Sequence, residues 1–206
     1  MLIFSIVLVV LGVLVCWAYW PLVFVPVLLL AWVISFFRDP ERKAPDGKNI
    51  LVAPADGKVV EIAEVDEPNF IQGRAIRISI FLSVFNVHIN RSPCSGLVRK
   101  LHYRPGRFRN ALLAASSEEN ESNSIGIERD DAGSTRIVVR QIAGAIARRI
   151  VCSCNEGDRV KKGERVGMIK FGSRTELYVS ADARFKPEVH VGQNVKAGST
   201  VMGEIE

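Results

Sequence analysis

Histidine is the side-chain type best suited to acid–base chemistry near neutral pH, and this chain of 206 residues has three: His88, His102 and His190. His190 lies just ahead of a glycine turn at Gly192. His102 stands among Arg and Lys in an alternating segment, so both read as solvated. His88 differs, because it closes an apolar run inside 85–93 (FNVHINRSP) with polar residues just after it. A lone histidine there is either a satisfied core residue or a general base. Asp56 precedes Gly57, and Asp-Gly is a common hairpin-turn pair, so Asp56 reads first as a turn residue. Ser173 follows Gly172 in the strand-like run 168–179, and that dipeptide alone carries almost no signal. No G-x-S-x-G elbow, H-E-x-x-H pair or phosphate loop is present.

The elements that must position these groups are mainly strands. Ile76, Ile78, Ile80 and Leu82 alternate with Arg77, Ser79 and Phe81, which is the period of a strand. Further strands are expected at 51–52, 58–62, 97–103, 137–142, 147–151 and 175–179, punctuated by Gly, Pro, Asp and Asn. One short helix is expected over 109–116, and the polar run 116–123 (SSEENESN) reads as a loop. A G-x-x-V-K-x-G unit at 157–163 recurs at 192–198. Each copy reads as a tight turn, an inward valine and a second glycine turn. Paired units of this kind build the flattened barrel-sandwich of lipoyl and biotinyl carrier domains, so the expected fold is mainly β and of that type.

Ahead of this domain, 1–37 contains no Asp, Glu, Lys or Arg, while all 27 basic and 22 acidic residues follow it. As one helix this block would run to roughly 55 Å, against a hydrocarbon core of about 30 Å. Pro21 and Pro26 interrupt it. Two short spans, 2–19 and 22–37 with a break at Trp20–Pro21, fit the sequence, as does one tilted span with an interfacial helix. A cleaved signal peptide fits less well, for want of a basic start and a small-residue cleavage site. Arg38, Arg42 and Lys43 follow at once, which places the domain 38–206 on the cytoplasmic face of the cell membrane. These cations could also meet lipid phosphates, though topology alone explains them. The net charge of +5 suits an anionic membrane surface or simple solubility. Cys152 and Cys154 form a C-x-C on one face of a strand. With no histidine close in sequence, they, Cys16 and Cys94 read as small buried residues of a reducing compartment rather than a metal site. No nucleic-acid partner is expected.

Several stretches together resemble the phosphatidylserine decarboxylase family in its short form. They are Phe37-Arg38-Asp39-Pro40-Glu41-Arg42, Pro54-Ala55-Asp56-Gly57-Lys58-Val59, the run 85–93, and Tyr103-Arg104-Pro105-Gly106-Arg107-Phe108. Glu119-Asn120-Glu121, Gln141-Ile142-Ala143-Gly144 with Ala147-Arg148-Arg149-Ile150, and Gly167-Met168-Ile169-Lys170-Phe171-Gly172-Ser173 follow in the family's order. The resemblance implies that Ser173 Oγ attacks the Gly172 carbonyl, with Gly172 supplying a strained, Cβ-free approach. Elimination then leaves a pyruvoyl cofactor at residue 173, on a small α chain, 173–206, that pairs with a large β chain, 1–172. It implies that His88 is the base for this step, with Asp56 orienting its ring, and that the pyruvoyl group forms a Schiff base with the serine amine of a membrane phospholipid. His88 is also the histidine available to reprotonate the substrate carbon. Some family members carry a second histidine where this chain has Phe85, so that residue's role does not transfer. Phosphatidylserine and its ether-linked archaeal analogue share a head group, and the resemblance covers both. A homo-oligomer stays open.

Two other readings compete. A lipoyl- or biotinyl-like carrier could use Lys170, but a carrier lysine belongs on an exposed hairpin tip and this one sits in an apolar run. A membrane adaptor with such a domain would show coiled-coil heptads, and none is visible.

Overall fold

A block without formal charge offers water no polar side, and it folds as helix. The computed structural model describes residues 2–113, 116–130, 135–145, 149–170 and 172–206, with the backbone alone at 2–5 and 23. The chain divides into two units, Met1–Arg38 and Asp39–Glu206. In the first, α1 (Leu2–Tyr19) runs into a 3-10 turn, Trp20–Val23, and then α2 (Phe24–Phe36). Pro21 opens the turn, where its missing N–H costs nothing, so the expected break lies in that turn. The helical stretch Ile6–Phe36 is long and apolar enough to cross a membrane.

The second unit is mainly β. Its first three strands are β1 (Ile50–Val52), β2 (Gly57–Glu67) and β3 (Gly73–Leu82). A continuous group follows: β4 (Ile89–Arg91), β5 (Gly96–Arg104), β6 (Ser122–Arg129), β7 (Arg136–Ile142), β8 (Ile150–Cys152), β9 (Arg159–Val160) and β10 (Arg165–Ile169). The chain then returns through β11 (Ser173–Ser180), β12 (Phe185–Pro187), β13 (Asn194–Val195) and β14 (Val201–Ile205). These make one eight-stranded sheet, β13-β2-β3-β11-β7-β6-β5-β9, and two three-stranded sheets, β1-β14-β12 and β4-β10-β8.

The large sheet reads the same from either end, and its centre is the antiparallel pair β11–β7. The unit is therefore a duplication. One half is β1–β3 with β11–β14, and the other is β4–β10. The sequence repeat is its most visible trace. Gly192 N–H donates to Val59 O (2.8 Å) and Val59 N–H to Gln193 O (2.9 Å), while Gly157 and Val98 N–H make the matching bonds to Val98 O (2.8 Å) and Asp158 O (2.9 Å). The closing glycines, Gly163 and Gly198, have φ of +80° and +71°, a region that excludes most side chains.

Alternation along the strands explains the layers. Ile78, Ile80, Ile125, Val139, Leu177 and Val179 line the inner face of the large sheet. Leu51, Val166, Phe185, Met202 and Ile205 bring the small sheets against it. Each such fully buried side chain contributes about 1.5–3 kcal/mol.

Three expectations change. The helix expected over 109–116 is replaced by a turn closed by Leu113 N–H to Asn110 O (3.1 Å), with 114–115 outside the described residues. The run 116–123 is not a loop: it holds the one-turn helix α3 (Ser116–Glu119) and the start of β6. Its serines and asparagines are buried because neighbouring elements supply their hydrogen bonds. Of the strand expected over 147–151, the structure has Ile150–Cys152, and 147–148 lie outside the described residues.

Candidate active site

The site lies where the two halves are joined. In the continuous half, β6 runs directly into its partner β7. In the split half, β3 and β11 are equally paired, but β3 leads away into β4 and β11 is reached only from β10. Leu82, the last residue of β3, lies opposite Ser173, the first of β11. His88 lies on the outgoing crossover and Gly172 on the returning one. The two crossovers touch, because Ile169 N–H donates to His88 O (3.2 Å).

Ser173 is fully buried, and its Oγ has no hydrogen-bond partner among the described residues. An unpartnered buried hydroxyl costs about 1–3 kcal/mol, so its retention calls for a functional account. Among the described residues, a Cβ on Gly172 would meet Leu82 O at 3.7 Å and Val84 Cγ1 at 3.8 Å, which are ordinary contacts. The crowded residue is Gly144, where a Cβ would fall 2.0 Å from Gly172 O. The backbone after β7 thus lies directly against the carbonyl that precedes Ser173.

His88 is fully buried, and its Nδ1 lies 2.9 Å from Asn86 O. A carbonyl oxygen only accepts, so Nδ1 carries the proton and Nε2 is the basic nitrogen of the neutral ring. Two residues on, Asn90 Nδ2 donates to Thr175 Oγ1 (3.0 Å), two residues beyond Ser173. Gln141 Nε2 donates to Asn90 Oδ1 (2.9 Å), and Asn123 Nδ2 donates to Gln141 Oε1 (3.1 Å). This buried chain of amides ties the His88 strand to the Ser173 strand. It could have been suspected from polar residues inside apolar strands, but no motif marks it.

The described hydrogen bonds of the Asp56 carboxylate come from Arg42 and Ala197. Arg42 Nη1 and Nη2 donate to it at 2.5 and 2.8 Å, and the Ala197 N–H at 2.8 Å. Arg42 Nη1 also donates to Ala197 O (2.9 Å), so Arg42 is committed here rather than presented to lipid. The Asp56 turn reaches β4 through backbone, since Pro54 O accepts from Arg91 N–H at 2.9 Å. His102 and His190 lie outside the site: His102 is half-buried in β5, and the His190 ring contacts Val191 O (3.1 Å) in an exposed segment.

The opposite face of β11 holds a second polar cluster. Glu176 is fully buried and accepts from Ser117 Oγ (2.6 Å) and Tyr178 OH (2.6 Å), with Arg174 Nε at 2.9 Å. Burial pushes its carboxyl up. The two hydroxyls and the Arg174 and Arg140 guanidiniums outweigh this and hold it below the usual carboxylate range. Burial and Glu176 push the Tyr178 phenol up to about 12. The cysteine expectation also needs correction. Cys94 and Cys154 are buried, but Cys152 is only half-buried and Cys16 is exposed on its helix. Cys152 Sγ lies 3.6 Å from Cys154 Sγ, and that neighbour lowers the Cys152 thiol to about 6 while the Cys154 thiol is pushed up.

Known proteins resemble this chain in sequence over most of its length. Residues 29–203 match the family described as phosphatidylserine decarboxylase. The phosphatidylserine decarboxylase proenzyme of Rhodopirellula baltica is 47% identical over 206 residues, 100% of this chain and 85% of that one. Those of Desulfotalea psychrophila and Syntrophus aciditrophicus are 45% and 48% identical, over 89% and 82% of this chain and 84% and 77% of theirs. The chain belongs to the phosphatidylserine decarboxylase family.

Proposed function

We propose that this protein cuts itself between Gly172 and Ser173 into chains 1–172 and 173–206, and that the mature pair decarboxylates phosphatidylserine at a membrane. The observation that carries the first step is the buried, unpartnered Ser173 Oγ beside a carbonyl held against Gly144. Ser173 Oγ adds to the Gly172 carbonyl carbon while its proton passes to His88 Nε2. The C–N bond then breaks, the nitrogen takes a proton, and an ester joins the two residues. Loss of the residue 173 α-proton expels the Gly172 carboxylate and leaves dehydroalanine, which water converts to a pyruvoyl group with release of ammonia. The site fits this group, because its three carbons are those of Ser173, its keto oxygen comes from water, and nothing described binds the Oγ that must leave. Once formed, the pyruvoyl carbonyl supplies an electron sink for loss of carbon dioxide.

His88 holds the proton that the substrate carbon takes up after decarboxylation. The Asn90–Gln141–Asn123 chain fixes β4 against β11 and so keeps His88 in place. Asp56 orients His88, with Pro54 O joining its turn to β4 and Arg42 closing that turn onto the small chain at Ala197. The barrel-sandwich of lipoyl and biotinyl type is supported by the doubled repeat and the symmetric strand order. The unit Met1–Arg38 anchors the protein, with the catalytic unit on the cytoplasmic side as Arg38, Arg42 and Lys43 favour. Ser173→Ala tests the reading: the variant should stay full-length on a denaturing gel and be inactive, and its normal splitting would end the proposal.

A further inference from the structure

The residues around the cleavage site carry an exposed apolar rim. Phe85 is 71% exposed, Leu112 54%, Leu113 52% and Phe108 39%. Two close approaches place the segments that carry them beside the site. Val84, beside Phe85, comes within 3.8 Å of a Cβ built on Gly172, and Ala111, beside Leu112, within 3.4 Å of one built on Gly144. The rim is a built surface. Asn120, fully buried, donates through Nδ2 to Arg109 O (2.8 Å) and Ala143 O (2.7 Å), while its Oδ1 accepts from Arg109 N–H (2.9 Å). Backbone bonds from Arg107 N–H to Glu119 O (2.7 Å) and Glu121 N–H to Arg107 O (3.0 Å) hold the same loop. Four large apolar side chains on water are a cost that a fixed loop has no reason to keep unless something covers them.

The geometry points to the acyl region of an anionic lipid bilayer as the occupant: the mouth of the site is set into the membrane by Phe85, Phe108, Leu112 and Leu113. This rests on the proposed serine phospholipid substrate. A two-chain lipid keeps its tails in the bilayer, so its head group reaches a buried Ser173 only if the mouth lies at the interface. Cations stand in the rim itself: Arg107 and Arg109 pair with Glu119, at 3.7 and 2.8 Å, and Arg149 is exposed nearby. Its carbonyl accepts from Lys170 N–H at 3.2 Å, two residues from Gly172. Leucine and phenylalanine beside arginine make an interfacial surface, with the cations at the level of lipid phosphates.

Two experiments decide it. Full-length Ser173→Ala protein in anionic liposomes containing a phospholipid with a photoactivatable acyl chain should cross-link at 107–113 and at 85 as well as within 2–37. Cross-links confined to 2–37 overturn the inference. The double variant Leu112→Ser/Leu113→Ser should split normally and turn over short-chain, monomeric phosphatidylserine at the wild-type rate. On bilayer phosphatidylserine it should lose about tenfold or more in kcat/KM. Equal loss on both substrates, or on neither, overturns it. If the wild type decarboxylates neither lipid, the substrate reading fails by itself and the cross-links still decide the docking.

Discussion

The two halves of the β unit have the same strands and the same pairings, yet they differ at one end. In the continuous half, β6 and β7 are joined directly. In the other half the equivalent end, between β3 and β11, is open, and its two strand ends lead to and from the first half. His88 lies on one of these crossovers and Gly172–Ser173 on the other. The difference teaches why the proposed cut falls where the fold tolerates it. A break between Gly172 and Ser173 leaves both β10 and β11 in their sheets, with β11 paired on each side. A fold built from one joined pair and one open pair can lose a peptide bond at the open end and keep every ladder.

The largest effect expected from this contrast concerns the histidines. His88→Ala should slow self-cleavage by about 10²- to 10⁴-fold, whereas His102→Ala, in the joined half, should leave it unchanged. Time-resolved denaturing gels measure both, and similar rates for the two variants would erase the contrast.

The seam between the halves comes next. Glu176 in β11 lies opposite Arg140 in β7. Glu176→Ala should cost about 3–5 kcal/mol, because it strands buried cationic and hydroxyl partners, and denaturant unfolding of the full chain reads this. The sign with pH follows from the depressed carboxyl. Its stabilisation is complete above the ordinary carboxylate range and disappears as pH falls through the lower folded value, a loss that Glu176→Gln should not show. Equal acid sensitivity in both proteins would remove Glu176 from the seam.

A smaller effect is expected where the joined half presses on the open one. Gly144→Ala puts a methyl into the Gly172 carbonyl, and relief of about 1–3 kcal/mol of overlap should slow cleavage roughly 10- to 100-fold. Gly172→Ala should fold with unchanged stability, because its contacts leave room. Normal cleavage of Gly144→Ala would show that the carbonyl needs no such support. The smallest effect is chemical. The C-x-C occurs only in the continuous half, with Pro187, the last residue of β12, and Val189 at the equivalent positions of the other. Alkylation of Cys152 should rise with pH around 6 and then level off, while Cys154 stays inert. Peptide mapping across pH checks this, and a midpoint near that of an ordinary thiol would contradict it.

Much of this was legible in the sequence, for reasons that can be named. The alternation of Ile76 to Leu82 announces β3 because one face packs on the core and the other does not. The charge-free block announces its helices, and the doubled G-x-x-V-K-x-G announces the duplication. β6 was hidden because its serines and asparagines are buried by partners distant in sequence, so its composition resembles a loop. The site was half legible. The motif run nominates Ser173, His88 and Asp56, but a motif holds no distances. It could not show that Arg42, from just after the apolar block, closes on Asp56, or that Gly144 lies tight against the Gly172 carbonyl.

Intact-mass measurement of the purified wild-type protein tests the central claim most directly. The account predicts two chains, 1–172 and 173–206, the second with a blocked, pyruvoyl N-terminus and no free amine. A single chain of 206 residues, or a break at any other bond, would contradict it.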